Sequence, residues 1–411
     1  MTKFCATATS LLLFSFSASA FDYDTTAWFK GNTHTHSLWS DGNDFPEMIF
    51  SWYRDHGYDF IGLSDHNVLQ EGEKWMTVEA IKKRQRAIGR DAISKCEARW
   101  GKEWIQWETR DGKQGIILKT LAQCREALEK PGEFYLLRAE EVSNSGSKLP
   151  VHINAINLKE VIPAIKDDNA SPRDVMQRSL GAIREYGEKS GVPVLAHLNH
   201  PNFQWALTAE DLANVAEGRF FEVYNGHPGI NHYGDDTRPG DEEIWDIANT
   251  IRLAELDYPP LLGVATDDSH TYHGGDVSPG KGWVVVGADS LNGDEIVNAL
   301  QKGKFYSSSG VELERITFDQ EDRILSISVI PDKDANYTIE FIGTRKSYDA
   351  TAENTGIGEV FATMEGTKAS FQIPEDALYM RATITSSVRP ENPSYPEQKA
   401  QAWVQPVGWE K

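Results

Sequence analysis

Cysteine is scarce in this chain: three occur in 411 residues, Cys5, Cys96 and Cys124. None forms a Cys-x-x-Cys pair, which argues against a thiolate metal site, and three are too few for a disulfide framework. Long apolar runs are missing as well. No stretch reaches the ~20 residues that a membrane-spanning helix needs. Positive charge is in deficit, with 41 Lys and Arg against 62 Asp and Glu and a net charge of −21. Such a surface repels phosphate backbones and argues against a general nucleic-acid binder. It leaves room for a small phosphorylated substrate if cations line the site. There is no P-loop, no G-x-G-x-x-G after a strand and no G-x-S-x-G elbow, so nucleotide binding and serine-hydrolase chemistry are not indicated. The chain is 40% apolar and 25% charged, which supports a packed core. At about 150 residues per domain, its length suggests two or three domains, or a barrel plus a smaller unit.

Residues 1–20, MTKFCATATSLLLFSFSASA, read as an export signal. Lys3 supplies a short positive start, a brief apolar run follows, and Ala18-Ser19-Ala20 is a small-residue cleavage site. The cut is expected after Ala20, giving a secreted or periplasmic protein with no membrane insertion. In an oxidising compartment Cys96 and Cys124 tend to pair. Two buried free thiols are the alternative.

From about 28 to 305, short apolar runs alternate with helical stretches. Strands are expected at 58–63, 134–138, 151–156, 192–198, 220–224 and 260–265. Helices are expected at 171–190 and 242–256, the first opened by Ser171-Pro172. This alternation implies parallel strands with helical crossovers, hence an α/β layer or barrel. Residues 71–131 interrupt it. They are charged, carry Trp75, Trp100, Trp104 and Trp107, and are expected to form a helical insertion. After Gly310 apolar and polar residues alternate between turn signals, so an antiparallel β-sandwich is expected over 311–411.

Eleven histidines occur, and most sit beside acids. His34, His36 and Asp41 fall in GNTHTHSLWSDG. Residues two apart on a strand point the same way, so two imidazoles can grip one cation. Asp65 and His66 follow the strand at 58–63, and Glu140 and Glu141 follow that at 134–138. His152 lies in VHINAIN, His197 and His200 in VPVLAHLNHP, and Asp267, Asp268 and His270 in GVATDDSH. Each group is expected at or just past the end of a parallel strand, where α/β barrels build their active face. Imidazole with carboxylate suits zinc, manganese or iron, and there are more ligands than one four-coordinate ion uses. Two or three divalent ions are the natural inference. FEVYNGH adds Glu222, Tyr224, Asn225 and His227, polar groups that could face substrate or protonate a leaving group.

The ordered set HTHSLWSDG, SDHN, a Glu after a strand, HP and Asp-Ser-His resembles the PHP (polymerase and histidinol phosphatase) superfamily. GKFYSSSG at 303–310 is similar to the segment that closes such domains. The likeness runs over roughly 28–310 without the insertion. Export and the C-terminal sandwich make it more similar to the branch of carbaryl-hydrolase-like metallohydrolases. The resemblance implies a distorted (β/α)7 barrel over 21–310, carrying the insertion at about 71–131. It implies that His34, His36, Glu141 and Asp268 surround one ion and that Glu141 bridges to another. Asp41, His66 and His270 would hold a second ion, with Asp41 where some members have His. His152 and His200 would hold a third. Glu141 fits the family pattern better than its neighbour Glu140. The HP motif points to His200, although His197 sits in a Leu-Ala-His context that other members use. Asp65 would orient a ligand from behind.

Ions so held would activate a water and draw charge from a phosphoryl or carbonyl oxygen. The leading expectation is a metal-dependent phosphoesterase acting on a small-molecule ester. Hydrolysis of a carboxylic or carbamate ester on the same metals is the alternative. A metal-stabilised binding protein, with the sandwich as its recognition module, is the reading from a different class.

Overall fold

The computed structural model describes residues 27–84, 91–349 and 356–410; the expected export signal at 1–20 lies outside them. The chain opens with β1 (Ala27–Asn32), α1 (Pro46–Asp55) and β2 (Phe60–Leu63). The insertion holds β3 (Trp75–Thr77), α2 (Val78–Arg84), α3 (Ala92–Trp100), β4 (Gln106–Arg110), β5 (Lys113–Ile117) and α4 (Leu121–Leu128). Then come β6 (Tyr135–Gly146), β7 (Leu149–Ile156), β8 (Lys166–Asp167), α5 (Pro172–Ser190), β9 (Leu195–Leu198) and α6 (Ala209–Ala213). They are followed by β10 (Phe220–Asn225), α7 (Asp241–Ala254), β11 (Leu262–Thr266), β12 (Trp283–Ala288), α8 (Gly293–Gln301) and β13 (Phe305–Ser308). The C-terminal part is all strand: β14 (Leu313–Asp319), β15 (Ile324–Val329), β16 (Tyr337–Arg345), β17 (Glu359–Glu365), β18 (Lys368–Gln372), β19 (Ala377–Ser386) and β20 (Gln401–Val407). No helix among the described residues is long and apolar enough to cross a membrane.

Local chemistry sets many of these boundaries. Ser171 caps α5 through the Asp174 amide, Asp174 returns the bond, Pro172 fills the first turn, and Gly191 ends the helix in the left-handed region. Its inner face, Val175, Met176, Leu180 and Ile183, is buried against the sheet. Truncating Leu180 or Ile183 to Ala would cost about 2–5 kcal/mol. Strands β2, β10 and β11 are buried along their whole length, as apolar runs covered on both faces should be.

The main sheet runs β11-β10-β9-β7-β6-β2-β1-β12-β13-β20-β19-β16-β17, with β8 on β6. It is mixed rather than parallel. Pairs β1–β2, β2–β6, β9–β10 and β10–β11 are parallel. Strand β7 is antiparallel to both β6 and β9, and β12 is antiparallel to β1 and β13. The reason at β7 is its turn. Ser147 and Lys148 both take positive φ, which closes a two-residue hairpin where a helical crossover was expected. His152 therefore lies in the middle of an antiparallel strand, not past the end of a parallel one.

Among the described residues no backbone ladder joins β11 to β12 or β13. Side chains bridge the gap instead. Gln405 of β20 bonds both the N–H and the carbonyl of Gly263 at 2.9 Å, and Ser307 donates to the same carbonyl at 2.8 Å.

The insertion is not purely helical. Strands β3-β5-β4 form a small antiparallel sheet beside its helices. Its turn is Asp111-Gly112, both at positive φ, a hairpin signal inside an otherwise helix-like composition. Cys96 and Cys124 are buried and unpaired, against the expected bridge. Cys96 packs in the insertion core near Glu47, while Cys124 packs with α1 and β2 in a different cluster.

The C-terminal strands form two antiparallel layers, β14-β15-β18 facing β20-β19-β16-β17. Ile316, Leu325 and Ile327 pack against Ile339, Phe341 and Ile384 between them. The second layer is continuous with the main sheet, because β20 pairs with β13. A buried ion pair adds to the junction: Arg381 holds Asp246 of α7 with two bonds of 2.8 and 2.7 Å, and Tyr379 donates to the same carboxylate. The segment between β19 and β20 reaches two loops beside the histidine cluster, through Ser394 to the Gly226 carbonyl and Asn392 to Ser278.

Candidate metal centre

The chain leaves β1 still extended. His36 N–H bonds the Ser269 carbonyl and Asp268 N–H bonds the His34 carbonyl, so the two segments run side by side past their strands. Alternation then aims His34 and His36 into one cavity. Glu141, in the middle of β6, enters the same space.

Glu141 is the hub. Its carboxylate lies 3.4 Å from His34, 3.5 Å from His36, 2.6 Å from His66, 3.0 Å from His152 and 3.5 Å from His200. Asp268 lies 3.3 Å from His34, 3.2 Å from His36 and 3.6 Å from His270. Asp41, half exposed at the mouth, lies 3.4 Å from both His66 and His270 and 3.7 Å from His36. All nine residues that the resemblance implies as ligands come together.

Four sets have ligand atoms mutually within 4.8 Å: His36–Asp41–His66–His270, His34–His36–Glu141, His34–His200–Asp268 and His66–Glu141–His152. His200 thus groups with His34 and Asp268 rather than with His152. His152 and His200 share no set but both approach Glu141 Oε1, at 3.0 and 3.5 Å, and His36 belongs to the Asp41 set as well as to the inner one.

The chemistry of the donors fits divalent cations. His34 Nε2, His36 Nε2, Glu141 Oε2 and His152 Nδ1 are buried and have no hydrogen-bond partner. They approach their neighbours closely without hydrogen-bond alignment. Imidazole and carboxylate donors that converge in this way without hydrogen-bond partners suit a metal ion. In the metal-free chain burial alone would raise Glu141 and Asp268, but the surrounding imidazoles hold both well below the usual carboxylate range. Both stay anionic.

The other expected residues do different work. Glu140 points to the opposite face of β6, accepts the Ile162 N–H at 2.9 Å, and is pushed up to about 7 by burial. His197 sits behind the cluster with its Nε2 3.1 Å from the Thr33 hydroxyl, and it joins none of the four sets. Asp267 accepts from Tyr53 and from the amides of Gly280, Lys281 and Gly282, so it pins a loop rather than facing the cavity. Asp65 accepts from Ser37, Ser40 and Gln70 and holds the loop that carries Asp41.

Glu222 was expected to face substrate or donate a proton. It is fully buried and accepts four bonds, from His34 Nδ1 (2.6 Å), Thr266 (2.7 Å), His200 N–H (2.8 Å) and Asn225 (2.8 Å). Burial opposes its ionisation, but His34, His197 and His200 outweigh it and bring the carboxyl down to about 2. It has no proton to give at neutral pH and acts by orienting His34. Asn225 also reaches Asp268 at 3.2 Å. His227 lies half-buried at the edge of the cavity. Its Nδ1 accepts the Gly229 N–H at 2.9 Å, which assigns its proton to Nε2.

Two cluster residues, His200 and Asp268, have positive φ of 27° and 48°. Non-glycine backbone of this kind is costly and concentrates at functional sites. Asn199 was missed from sequence: it bonds Glu141 at 2.8 Å and Asn154 at 2.9 Å. Its only signal was its place between two histidines. Ser143, 2.6 Å from His66 Nδ1, gave none.

Neither a family model nor a curated protein matches the chain. Solved structures are similar to it. One is a two-domain protein containing a predicted PHP-like metal-dependent phosphoesterase from Bacteroides vulgatus, at 15% identity and TM-score 0.40, covering 92% of this chain and 95% of that one. Another, from Bifidobacterium adolescentis, is proposed to be a metal-dependent phosphoesterase; it is 13% identical with TM-score 0.30, covering 66% of this chain and 96% of that one. At scores of this size the two likenesses carry no weight for the chemistry, which follows from the side chains themselves.

Proposed function

We propose that this chain is an exported metal-dependent phosphoesterase of the PHP type, working with two or three divalent ions. The observation that carries the reading is the carboxylate of Glu141 within 3.5 Å of five imidazoles, with three of the surrounding nitrogens and its own Oε2 lacking any hydrogen-bond partner. His34, His36, Glu141 and Asp268 hold the inner positions, Asp41, His66 and His270 the mouth, and His152 and His200 the far side. Bound divalent ions lower the pKa of a water toward neutrality and withdraw charge from a phosphoryl oxygen. A site with several cations suits a phosphate dianion better than a neutral carbonyl. Glu222 sets the tautomer of His34 by taking its Nδ1 proton in a hydrogen bond, leaving Nε2 as a lone pair toward the cavity. Burial holds His227 below the ordinary imidazole range, so it is neutral at pH 7 and offers Nε2–H to a substrate oxygen.

The test is a screen of phosphomonoesters, phosphodiesters, aryl carboxylates and carbamates. Phosphoester cleavage should vanish with chelator and return with Mn²⁺ or Zn²⁺. His36→Ala and Asp268→Ala should each lower it by orders of magnitude. A metal-replete protein that cleaves carboxylates or carbamates and no phosphoester overturns the assignment.

A further inference from the structure

The segment 387–400, between β19 and β20, has neither helix nor strand. A connection of this length without secondary structure is uncommon in a packed chain and usually serves function. It crosses from the C-terminal strands to the loop after β10, which carries His227, and ties that loop down at two points. The Ser394 hydroxyl donates to the Gly226 carbonyl at 2.6 Å, and the Tyr395 hydroxyl donates to the Ile230 carbonyl at 2.9 Å. Between these points Ile230 N–H bonds the His227 carbonyl at 3.1 Å and Gly229 N–H bonds His227 Nδ1 at 2.9 Å, so the turn is short and closed.

The bond at Gly226 bears directly on His227. The Gly226 carbonyl and the His227 N–H belong to one planar peptide unit, so fixing the first fixes the second. That N–H bonds Asn225 Oδ1 at 2.8 Å, and the Asn225 amide reaches Glu222 at 2.8 Å and Asp268 at 3.2 Å. Ser394 is itself oriented. Gln398 is buried and accepts the Ser394 N–H at 2.7 Å on Oε1, which assigns its Nε2 as the donor to the Tyr224 hydroxyl at 2.8 Å. Tyr224 then gives its own proton to the Ser394 oxygen at 3.0 Å, and the Ser394 proton is left for Gly226. Hydrogen bonds that all point one way strengthen one another.

The same segment holds a second loop. Asn392 donates to the Ser278 hydroxyl and the Pro279 carbonyl, both at 2.8 Å, and the amides that follow, of Gly280, Lys281 and Gly282, fix Asp267 beside Asp268. The His227 ring stands edge-on to that of His270, with centres 5.8 Å apart, so any shift of its turn moves Nε2 relative to the cluster. We propose that the segment 387–400 is a positioning strap for the metal centre: Ser394 and Tyr395 hold His227 where its Nε2–H meets the oxygen of the leaving group. This rests on the hydrolase reading above. The C-terminal strands then belong to the working site and are not only a cover for the sheet.

The experiment pairs kinetics with amide hydrogen exchange on the full chain. Ser394→Ala and Tyr395→Phe each delete one hydroxyl, at different points of the turn, so either serves if the other disturbs folding. Each should lower kcat for an alkyl phosphate at least about tenfold more than for nitrophenyl phosphate, whose leaving group needs no proton. Metal content should stay at the wild-type level. Ser394→Thr, which keeps the hydroxyl, should restore the alkyl phosphate rate, and Ser394→Ala should add little in a His227→Ala background. Exchange of the amides at 226–230 should quicken at least about tenfold in both single variants while those of β6 stay protected. Equal losses on the two substrates, lost metal, unchanged rates or unchanged exchange at 226–230 in a folded variant would overturn the strap. If the wild-type chain cleaves neither substrate, the hydrolase reading falls, and the exchange measurement by itself decides whether the strap holds the turn.

Discussion

Replacing Glu222 by glutamine keeps its size and removes its charge. The carboxylate accepts two bonds on each oxygen: His34 Nδ1 and Thr266 on Oε1, His200 N–H and Asn225 on Oε2. A glutamine must turn its NH₂ toward one of these pairs, and both pairs are donors. If the NH₂ replaces Oε2 it meets the His200 amide, which cannot rotate away. One unmade buried bond costs about 1–3 kcal/mol. If it replaces Oε1, Thr266 can rotate its hydroxyl to accept. His34 can accept only by moving its proton to Nε2, the atom 3.4 Å from Glu141 and 3.3 Å from Asp268. That deletes a lone pair from the metal-binding set. Either route predicts a folded but weakened protein. Stability of the metal-free chain should fall by about 1–3 kcal/mol, and metal affinity should fall by about 10–100-fold. Chemical denaturation measures the first, and Zn²⁺ or Mn²⁺ competition against a chromophoric chelator measures the second. A folded Glu222→Gln protein with unchanged metal affinity and unchanged stability would refute the claim that Glu222 sets the state of His34.

Three other outcomes are expected. Asp246→Ala removes two bonds from the Arg381 guanidinium, which is 2% exposed and keeps Glu242 at 3.1 Å, and should cost about 1–3 kcal/mol in urea denaturation; a near-zero effect would mean the pair is solvated. A chain beginning at Phe21, denatured without reductant, should titrate two thiols, from Cys96 and Cys124; none would show a bridge. Burial lowers the folded-state pKa of His197 to about 4. The unfolded imidazole takes up a proton near pH 6.5 while the folded one stays neutral, so this residue's contribution in the metal-free protein is present above about 6.5 and lost as pH falls toward 4. His197→Gln should flatten the stability curve over that window, and an unchanged slope would count against the burial argument.

The elements that were legible in the sequence are those with local causes. Ser171, Pro172, Asp174 and Gly191 bracket α5 within the chain's own turn. Apolar runs marked β2, β10 and β11 because burial on both faces needs no particular phase. The residues of the cluster were legible for a similar reason: His34 with His36, and Asp268 with His270, are pairs set by neighbours in sequence. Where the reading failed, a short signal overrode a composition. Positive φ at Ser147 and Lys148 turned β7 back on β6, and Asp111-Gly112 made a hairpin inside a stretch that reads as helix.

Only the tertiary structure decided how these pieces act together. Glu140 and Glu141 are adjacent, and which one enters the cavity depends on the register of β6 against β2 and β7, not on either residue. The choice between His197 and His200 rests on the chain leaving β9 before His200 and turning it through positive φ toward Glu141. Glu222 meets His34 across 188 positions, so its role as an acceptor is invisible to any local pattern. The same holds for Gln405, which closes the gap at Gly263 from 142 residues away. Caps, alternation and turns act over a few residues, and the sequence states them directly. Convergence is a property of which surfaces bury one another, and it exists only once the chain is packed.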